Sequence, residues 1–161
     1  MIPIISVVGK SNVGKTTLLE KLLPELKRRG YRVATIKHDA HGFSIDQPGK
    51  DTWRHAQAGA DMVIISSREK VAIIEKVDRE RTLDEIAARI EQVDLILTEG
   101  YKRQDKPKIE VYRPERSTEL LCKKEELLAV ATDVPLNIGV PEFTLDDSAG
   151  LVDLIEERFL K

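Results

Sequence analysis

Apolar residues occur along this chain in short runs that alternate with segments of helical periodicity. The first run, Ile4–Val8, is rich in β-branched side chains and is bounded by Pro3 and Gly9, which predicts a strand buried on both faces. The next apolar residues recur at helical spacing until Gly30, a typical stop signal, and therefore predict a helix. Its apolar positions are Leu18, Leu19, Leu22, Leu23 and Leu26.

The segment that follows combines a strand, a long loop and a short helix. Residues 31–37 alternate between apolar and polar side chains and predict a strand. Residues 38–50 have no apolar period and predict a loop, whose length is typical of a functional or disordered segment. A helix is expected over residues 51–59, with Asp51 as its cap.

A hairpin and a capped helix are predicted next. Two apolar runs at 62–65 and 71–74 flank a polar stretch, which indicates an antiparallel hairpin. Thr82 and Glu85 have the spacing of a capping box, so a helix is expected from there. The apolar face of that helix comprises Leu83, Ile86, Ala87 and Ile90.

The second half of the chain alternates strands with helices. Strands are expected at 93–97, 109–112 and 128–132, with a helix over 118–126 and a last helix that begins at 146–148. Such alternation predicts an α/β fold of three layers with a mainly parallel sheet. No repeat or linker interrupts residues 1–161, so we expect a single domain.

Composition narrows the classes of function. The 161 residues include 26 basic and 28 acidic side chains, a net charge of -2 that gives no reason to expect nucleic-acid binding. No apolar stretch reaches the length of a membrane span, and the apolar start lacks the basic region of a signal peptide. Cys122 is the single cysteine, which suits a reducing compartment. We therefore expect a cytoplasmic protein that does not enter a membrane.

The strongest motif is a glycine-rich phosphate loop, or P-loop, between the first strand and the first helix. It has the pattern Gly-x4-Gly-Lys-Thr, in which backbone amides surround phosphates, the lysine contacts the terminal phosphates and the threonine binds Mg²⁺. The motif predicts a P-loop nucleoside triphosphatase fold that binds a purine nucleoside triphosphate. Its expected ligand-binding residues are Gly9, Lys10, Ser11, Asn12, Val13, Gly14, Lys15, Thr16 and Thr17.

A P-loop requires a carboxylate near the metal. Glu99 ends the predicted strand that begins near Val93 and precedes Gly100, which places it at the carboxyl edge of the sheet. Asp39 follows the second strand and is a further candidate, through a metal-bound water. We therefore expect Lys15, Asp39 and Glu99 as catalytic residues and Thr16, Asp39 and Glu99 as metal ligands.

The loop after the second strand carries candidates for substrate or partner binding. Asp39 lies in it beside His38 and His41, and Lys50 and Arg54 follow at its end. One hypothesis is a switch loop in which Lys50 or Arg54 binds an anionic substrate. A zinc pair from the two histidines is a weaker alternative, because two ligands do not complete a zinc site. A plain polar surface loop is the third.

Several motifs together resemble the molybdopterin-guanine dinucleotide biosynthesis protein B family. The resemblance extends from the first strand to about Glu110 and continues weakly to Asp133. The motifs that carry it, besides the P-loop, are Ile36-Lys37-His38-Asp39 with His41-Gly42, Pro48-Gly49-Lys50-Asp51 with Arg54 and Ala58-Gly59-Ala60, and Thr98-Glu99-Gly100-Tyr101-Lys102.

The resemblance implies a GTP-binding accessory protein that uses Mg²⁺, forms a homodimer and has weak GTPase activity. It also implies a role in assisting the guanylyltransferase that joins GMP to molybdopterin, so that molybdopterin or Mo-molybdopterin is an expected partner. In a dimer, Lys10 is a candidate to contact the nucleotide of the partner subunit. A solvated loop lysine is the alternative.

Two further features bear on this function. Asp133, after the strand at 128–132, is a candidate acceptor for the guanine base, although no Asn/Thr-Lys-x-Asp motif is present. Lys102 and Arg103 open a cationic segment that suits a phosphorylated pterin or an acidic partner, or else is a solvated loop. The other cations of this segment are Lys106, Lys108, Arg113 and Arg116.

Two other functions remain open at this stage. A small-molecule P-loop kinase would use the loop over 38–54 to hold its acceptor. A non-catalytic interaction module would keep the P-loop as a vestige. If the protein is an enzyme, we expect at most a slow Mg²⁺-dependent GTPase, because no arginine finger or water-positioning glutamine can be assigned.

Overall fold

The computed structural model describes residues 1–161 as two compact units. The first comprises Met1–His38 and Leu83–Lys161, and the second Asp39–Thr82. The expectation of one domain over 1–161 stays a prediction. No helix in either unit combines the length and the apolar character that crossing a membrane requires.

Eight strands and four α-helices form the two units. The strands are β1 Ile4–Val8, β2 Val33–Lys37, β3 Met62–Ser66, β4 Val71–Glu75, β5 Leu95–Glu99, β6 Lys108–Val111, β7 Leu127–Ala131 and β8 Glu142–Phe143. The helices are α1 Lys15–Arg28, α2 Asp51–Gln57, α3 Leu83–Ala87 and α4 Ser148–Ile155, and a π-helical turn, Glu156–Leu160, follows the last of them.

The first unit is built on a six-stranded parallel sheet of order β2-β5-β1-β6-β7-β8. β1 lies between β5 and β6, where Val7 pairs with Glu99 on one side and with Ile109 on the other. Leu22 of α1 and Leu151 of α4 are fully buried with the sheet in one hydrophobic core. The apolar faces of these two helices pack against the sheet because their sequences are amphipathic.

Several buried side chains of the sheet are polar, and each has partners. The Thr98 hydroxyl donates to Ser6 Oγ at 2.9 Å. The Glu110 carboxylate accepts hydrogen bonds from the backbone amides of Leu121 and Cys122, at 2.6 and 3.0 Å. Buried polar groups satisfied in this way fix the segment after β6 against the sheet. Burial beside Glu110 raises the pKa of the Cys122 thiol to about 11.

The structure differs from the sequence-based expectations at three places. The predicted helix over 118–126 is wrong: only a 3-10 turn at Lys124–Glu126 forms, because the carboxylate of Glu110 takes backbone amides that a helix would need. The short strand β8 was not expected. Asp51 begins α2, and its N-cap residue is Lys50.

The second unit contains α2 and the predicted antiparallel hairpin of β3 and β4, in which Ile64 pairs with Ile73. Paired residues share one face of a two-stranded ribbon, and so do the residues two positions away. One face therefore carries four exposed apolar side chains. They are Met62, Ile64, Val71 and Ile73, with exposed fractions of 43%, 56%, 60% and 59%.

Candidate functional site

The P-loop lies between the carboxyl end of β1 and the first turn of α1. Gly14 is the N-cap residue of α1 and has a φ of 110°, in the region that glycine adopts without strain. Gly9 has a φ of 148°, and a Cβ atom there would lie 2.7 Å from the carbonyl oxygen of Val111 and 2.8 Å from Val13 Cγ1. The loop thus packs directly against the end of β6, and only glycine fits at its start.

Lys15 is held in the concave side of this loop. Its Nζ donates to the carbonyl oxygens of Gly9 and Lys10, both at 2.9 Å. Partial burial lowers the pKa of Lys15; Glu99 opposes this effect, while Lys37 and Lys102 add to it. The ammonium group is thus held by two loop carbonyls beside the N-terminus of α1, where it is a suitable partner for phosphate oxygens.

The candidate metal ligands Thr16 and Glu99 are in direct contact. The Thr16 hydroxyl lies 2.9 Å from both carboxylate oxygens of Glu99. The parallel ladder of β1 and β5 produces this contact, since Gly100 N donates to the Val7 carbonyl at 3.0 Å. A hydroxyl and a carboxylate are hard oxygen ligands of the kind that Mg²⁺ prefers, and Mg²⁺ takes its other ligands from water and phosphate. The residues present therefore fit this ion.

His38 follows β2 and lies beside the end of β5. Its backbone amide donates to the Glu99 carbonyl at 3.1 Å, and its ring lies 4.9 Å from the ring of Tyr101. Lys102 and Arg103 follow and are exposed. The contact between His38 and Tyr101 was not predicted, because no local sequence signal pairs residues from two different strands.

Four other predicted site residues belong to the second unit. The Asp39 carboxylate accepts a hydrogen bond from the His41 amide at 2.9 Å, and the Arg54 amide donates to the Lys50 carbonyl at 3.0 Å. No group of three or more His, Cys, Asp or Glu side chains is arranged to hold a metal ion. The roles assigned to these residues toward metal and substrate stay predictions.

The cationic segment is less uniform than its sequence indicates. Lys108 has an exposed fraction of 1%, and its Nζ donates to the Gln104 carbonyl at 2.7 Å and to Glu126 at 3.1 Å. Lys106 forms an ion pair with Asp84 at 2.9 Å. The expectation that Lys108 contributes to an anion-binding surface is therefore wrong, because its charge is used inside the fold.

Asp133 follows β7 and is exposed. One of its carboxylate oxygens accepts a hydrogen bond from the Leu145 amide at 3.0 Å. This contact joins the end of β7 to the loop between β8 and α4. The predicted contact of Asp133 with guanine stays a prediction.

Comparison with known proteins places this geometry in a family. Residues 4–133 match the family model described as molybdopterin guanine dinucleotide synthesis protein B. The chain belongs to this family. It is 40% identical over 157 residues to a molybdopterin-guanine dinucleotide biosynthesis adapter protein of Haemophilus influenzae, covering 96% of this chain and 88% of the relative. It is 39% identical to the Escherichia coli adapter protein, covering 100% of this chain and 95% of that one.

The fold agrees with solved structures of the protein B family. A crystal structure of molybdopterin-guanine biosynthesis protein B superposes with a TM-score of 0.78 at 32% identity, covering 98% of this chain and 99% of the other. The Bacillus stearothermophilus homologue gives a TM-score of 0.70 at 27% identity, covering 96% and 99%. The predicted P-loop fold, with its mainly parallel sheet and antiparallel hairpin, is confirmed, and the family acts in molybdenum cofactor biosynthesis.

The close approach at Gly9 generates a prediction. Gly9→Ala should lower the free energy of unfolding by about 3 kcal/mol, because it adds a steric clash to an unfavourable φ. Gly30→Ala is the matched control: Gly30 has a φ of 92°, with no atom within 4 Å of an added Cβ, so about 1 kcal/mol is expected. Urea denaturation measures both. Equal losses would show that the contact with Val111 is unimportant.

Proposed function

We propose that this protein is a Mg²⁺-GTP-binding adaptor that assists the guanylyltransferase step of molybdopterin-guanine dinucleotide synthesis. The observation that carries the proposal is the contact of Thr16 with Glu99 beside a complete P-loop. A hydroxyl and a carboxylate that can bind Mg²⁺ then lie together beside a loop whose carbonyls hold Lys15. Membership in the protein B family supplies the pathway.

Different groups of the P-loop site bind different parts of the triphosphate. The amides of the loop and of the first turn of α1 bind phosphate oxygens, and the Lys15 ammonium neutralises charge between the β- and γ-phosphates. Thr16 and Glu99 hold Mg²⁺, which supplies charge neutralisation between phosphate oxygens. Because no arginine finger or water-positioning glutamine can be assigned, we propose that hydrolysis is slow.

Guanine is proposed as the base on family grounds, with Asp133 as its acceptor. The hydrogen bond from Leu145 holds the Asp133 carboxylate at the carboxyl edge of the sheet, the edge at which parallel α/β sheets bind ligands. A carboxylate accepts hydrogen bonds from the N1 and N2 groups of guanine. Adenine lacks this pair of donors.

We propose that a phosphorylated pterin, molybdopterin or Mo-molybdopterin, and the guanylyltransferase bind on the β2–β5 side of the P-loop. Lys102 and Arg103 are exposed cations there and suit a phosphate or an acidic protein surface. His38 adjoins them. In the second unit, His41, Lys50 and Arg54 are separate candidates for binding a substrate or partner. With a single cysteine, Cys122, the protein suits the reducing cytoplasm, where we propose that it acts.

We also propose a homodimer in which the hairpin face of Met62, Ile64, Val71 and Ile73 is covered by a second copy. A contiguous apolar face is an expected interaction surface, and twofold symmetry presents the same face on both copies. Lys10 is exposed on the P-loop and is the candidate to contact the nucleotide of the partner subunit.

Nucleotide competition tests the proposal directly. GTP should displace a fluorescent GTP analogue from the wild-type protein in millimolar Mg²⁺ at much lower concentration than ATP does. Lys15→Ala should weaken GTP binding about 100-fold, because it removes a charged hydrogen-bond donor to phosphate. Lys124→Ala, at an exposed lysine, is the control. Absence of GTP and ATP binding to the wild type would refute a nucleotide-binding function, and a preference for ATP would refute guanine.

The metal role of Glu99 has its own signature. Glu99→Gln should raise the Mg²⁺ concentration needed for half-maximal enhancement of GTP binding about tenfold, while binding in EDTA changes little. Asp94→Asn removes the same charge just before β5, where Asp94 accepts a hydrogen bond from the Arg32 amide, and should leave the Mg²⁺ titration unchanged. Superimposable titrations of Glu99→Gln and the wild type would contradict the assignment.

The proposed dimer is tested by sedimentation. Ile64→Glu should weaken dimerisation at least about 100-fold, since each dimer loses two buried side chains worth about 1.5 kcal/mol each. Ile45→Glu places the same charge at another exposed isoleucine and serves as control. A wild-type protein that sediments as a monomer at micromolar concentration would rule out the dimer.

A further inference from the structure

The end of β6 runs along the P-loop on the side away from Glu99. The Val111 carbonyl is in close contact with Gly9, and the Tyr112 amide donates to the Ala131 carbonyl at 2.9 Å, which continues the ladder with β7 by one residue. The chain then turns sharply, because the Arg113 carbonyl accepts hydrogen bonds from the amides of Arg116 and Ser117, at 3.0 and 3.1 Å. The backbone of Arg113 is thereby fixed beside the loop.

The side chain of Arg113 lies against Gly14. A Cβ atom added at Gly14 would be 3.5 Å from Arg113 Nη2 and 3.8 Å from Nε, and no other atom would come within 4 Å of it. A planar cation with five donors therefore borders the first residues of the amide cradle. Two sources of positive potential, the guanidinium and the N-terminus of α1, converge at this place.

The charge of Arg113 is not neutralised by the nearby carboxylate. The pKa of Asp146 is lowered mainly by its hydrogen bond and ion pair with Lys21, and the charge of Arg113 makes the smallest contribution. Lys21 Nζ also donates to the Leu145 carbonyl at 3.3 Å. The facing groups therefore leave Arg113 available to an anion.

The strand order assigns this cation to one end of the ligand. β1 separates β5, which carries Glu99, from β6, which leads to Arg113. In a P-loop the lysine and the metal ligands act at the β- and γ-phosphates, whereas the amides also surround the α-phosphate. A nucleotide whose γ-phosphate lies toward Glu99 directs its α-phosphate and nucleoside toward the β6 side.

We propose that Arg113 binds the α-phosphate end of the nucleotide, with its guanidinium plane against the nucleoside. This inference rests on the proposed nucleotide-binding function and deepens it, since it adds a binding residue from outside the P-loop motif. Charge-assisted hydrogen bonds to phosphate and stacking of the planar guanidinium both favour arginine over lysine here. Neither interaction depends on which purine is bound.

Calorimetry with GTP, GDP and ATP in Mg²⁺ tests the role. Arg113→Ala should weaken GTP and GDP binding by the same factor, about tenfold, and should weaken residual ATP binding equally. Arg113→Lys should recover only part of the loss. Arg158→Ala, which removes one charge from an exposed arginine in the same unit, should change affinity less than twofold.

The contrary outcomes are distinct from one another. If the wild type binds nucleotide and Arg113→Ala binds it equally well, the inference fails while the proposed function stands. If affinity is unchanged but GTP hydrolysis falls, or if GTP binding falls and GDP binding does not, Arg113 acts at the γ-phosphate and the inference is overturned. If the wild type binds no nucleotide, the proposed function fails and the inference with it.

Discussion

The parallel pairing of β1 with both of its neighbours is the constraint on which the site depends. Because Val7 pairs with Glu99 on one side and with Ile109 on the other, three strands end at one edge of the sheet. The loop after Val8 is therefore bordered by a carboxylate on the β5 side and by Arg113 on the β6 side. A slip of one residue in either ladder would turn side chains to the opposite face of the sheet, and the carboxylate and the arginine would no longer border the loop.

The polar groups inside the sheet keep that register unique. A purely apolar interior tolerates small displacements, whereas the Ser6–Thr98 hydrogen bond and the two hydrogen bonds that Glu110 accepts from backbone amides are satisfied in one register only. A buried donor or acceptor without a partner costs about 1–3 kcal/mol. The same groups hold the segment after Arg113, so specificity of the fold and placement of the cation have a common origin.

The features that have a local sequence signal could be predicted. Patterns within a few residues predict the P-loop, the hairpin and the place of Glu99 at a strand end. The pairing of β1 with β5 then brings Glu99 into contact with Thr16. The features that depend on contacts with residues distant along the chain could not be predicted. The helix expected over 118–126 does not form because the carboxylate of Glu110 binds backbone amides of that segment. The burial of Lys108 depends on backbone carbonyls and a carboxylate that no sequence periodicity indicates. The two-residue strand β8 is too short to leave a pattern.

The position of Lys15 in the P-loop lowers the stability of the free protein. Burial is the main cause that lowers the pKa of Lys15; the charges of Lys37 and Lys102 add to this effect, and Glu99 opposes it. A folded-state pKa below the unfolded value means that the unfolded chain binds more protons, so this lysine disfavours folding at low pH and the penalty fades as the pH rises through its lowered pKa. A bound anion would offset this penalty by its attraction to the ammonium group, without removal of the proton. The glycine loop thus holds its lysine at some cost to the stability of the free protein.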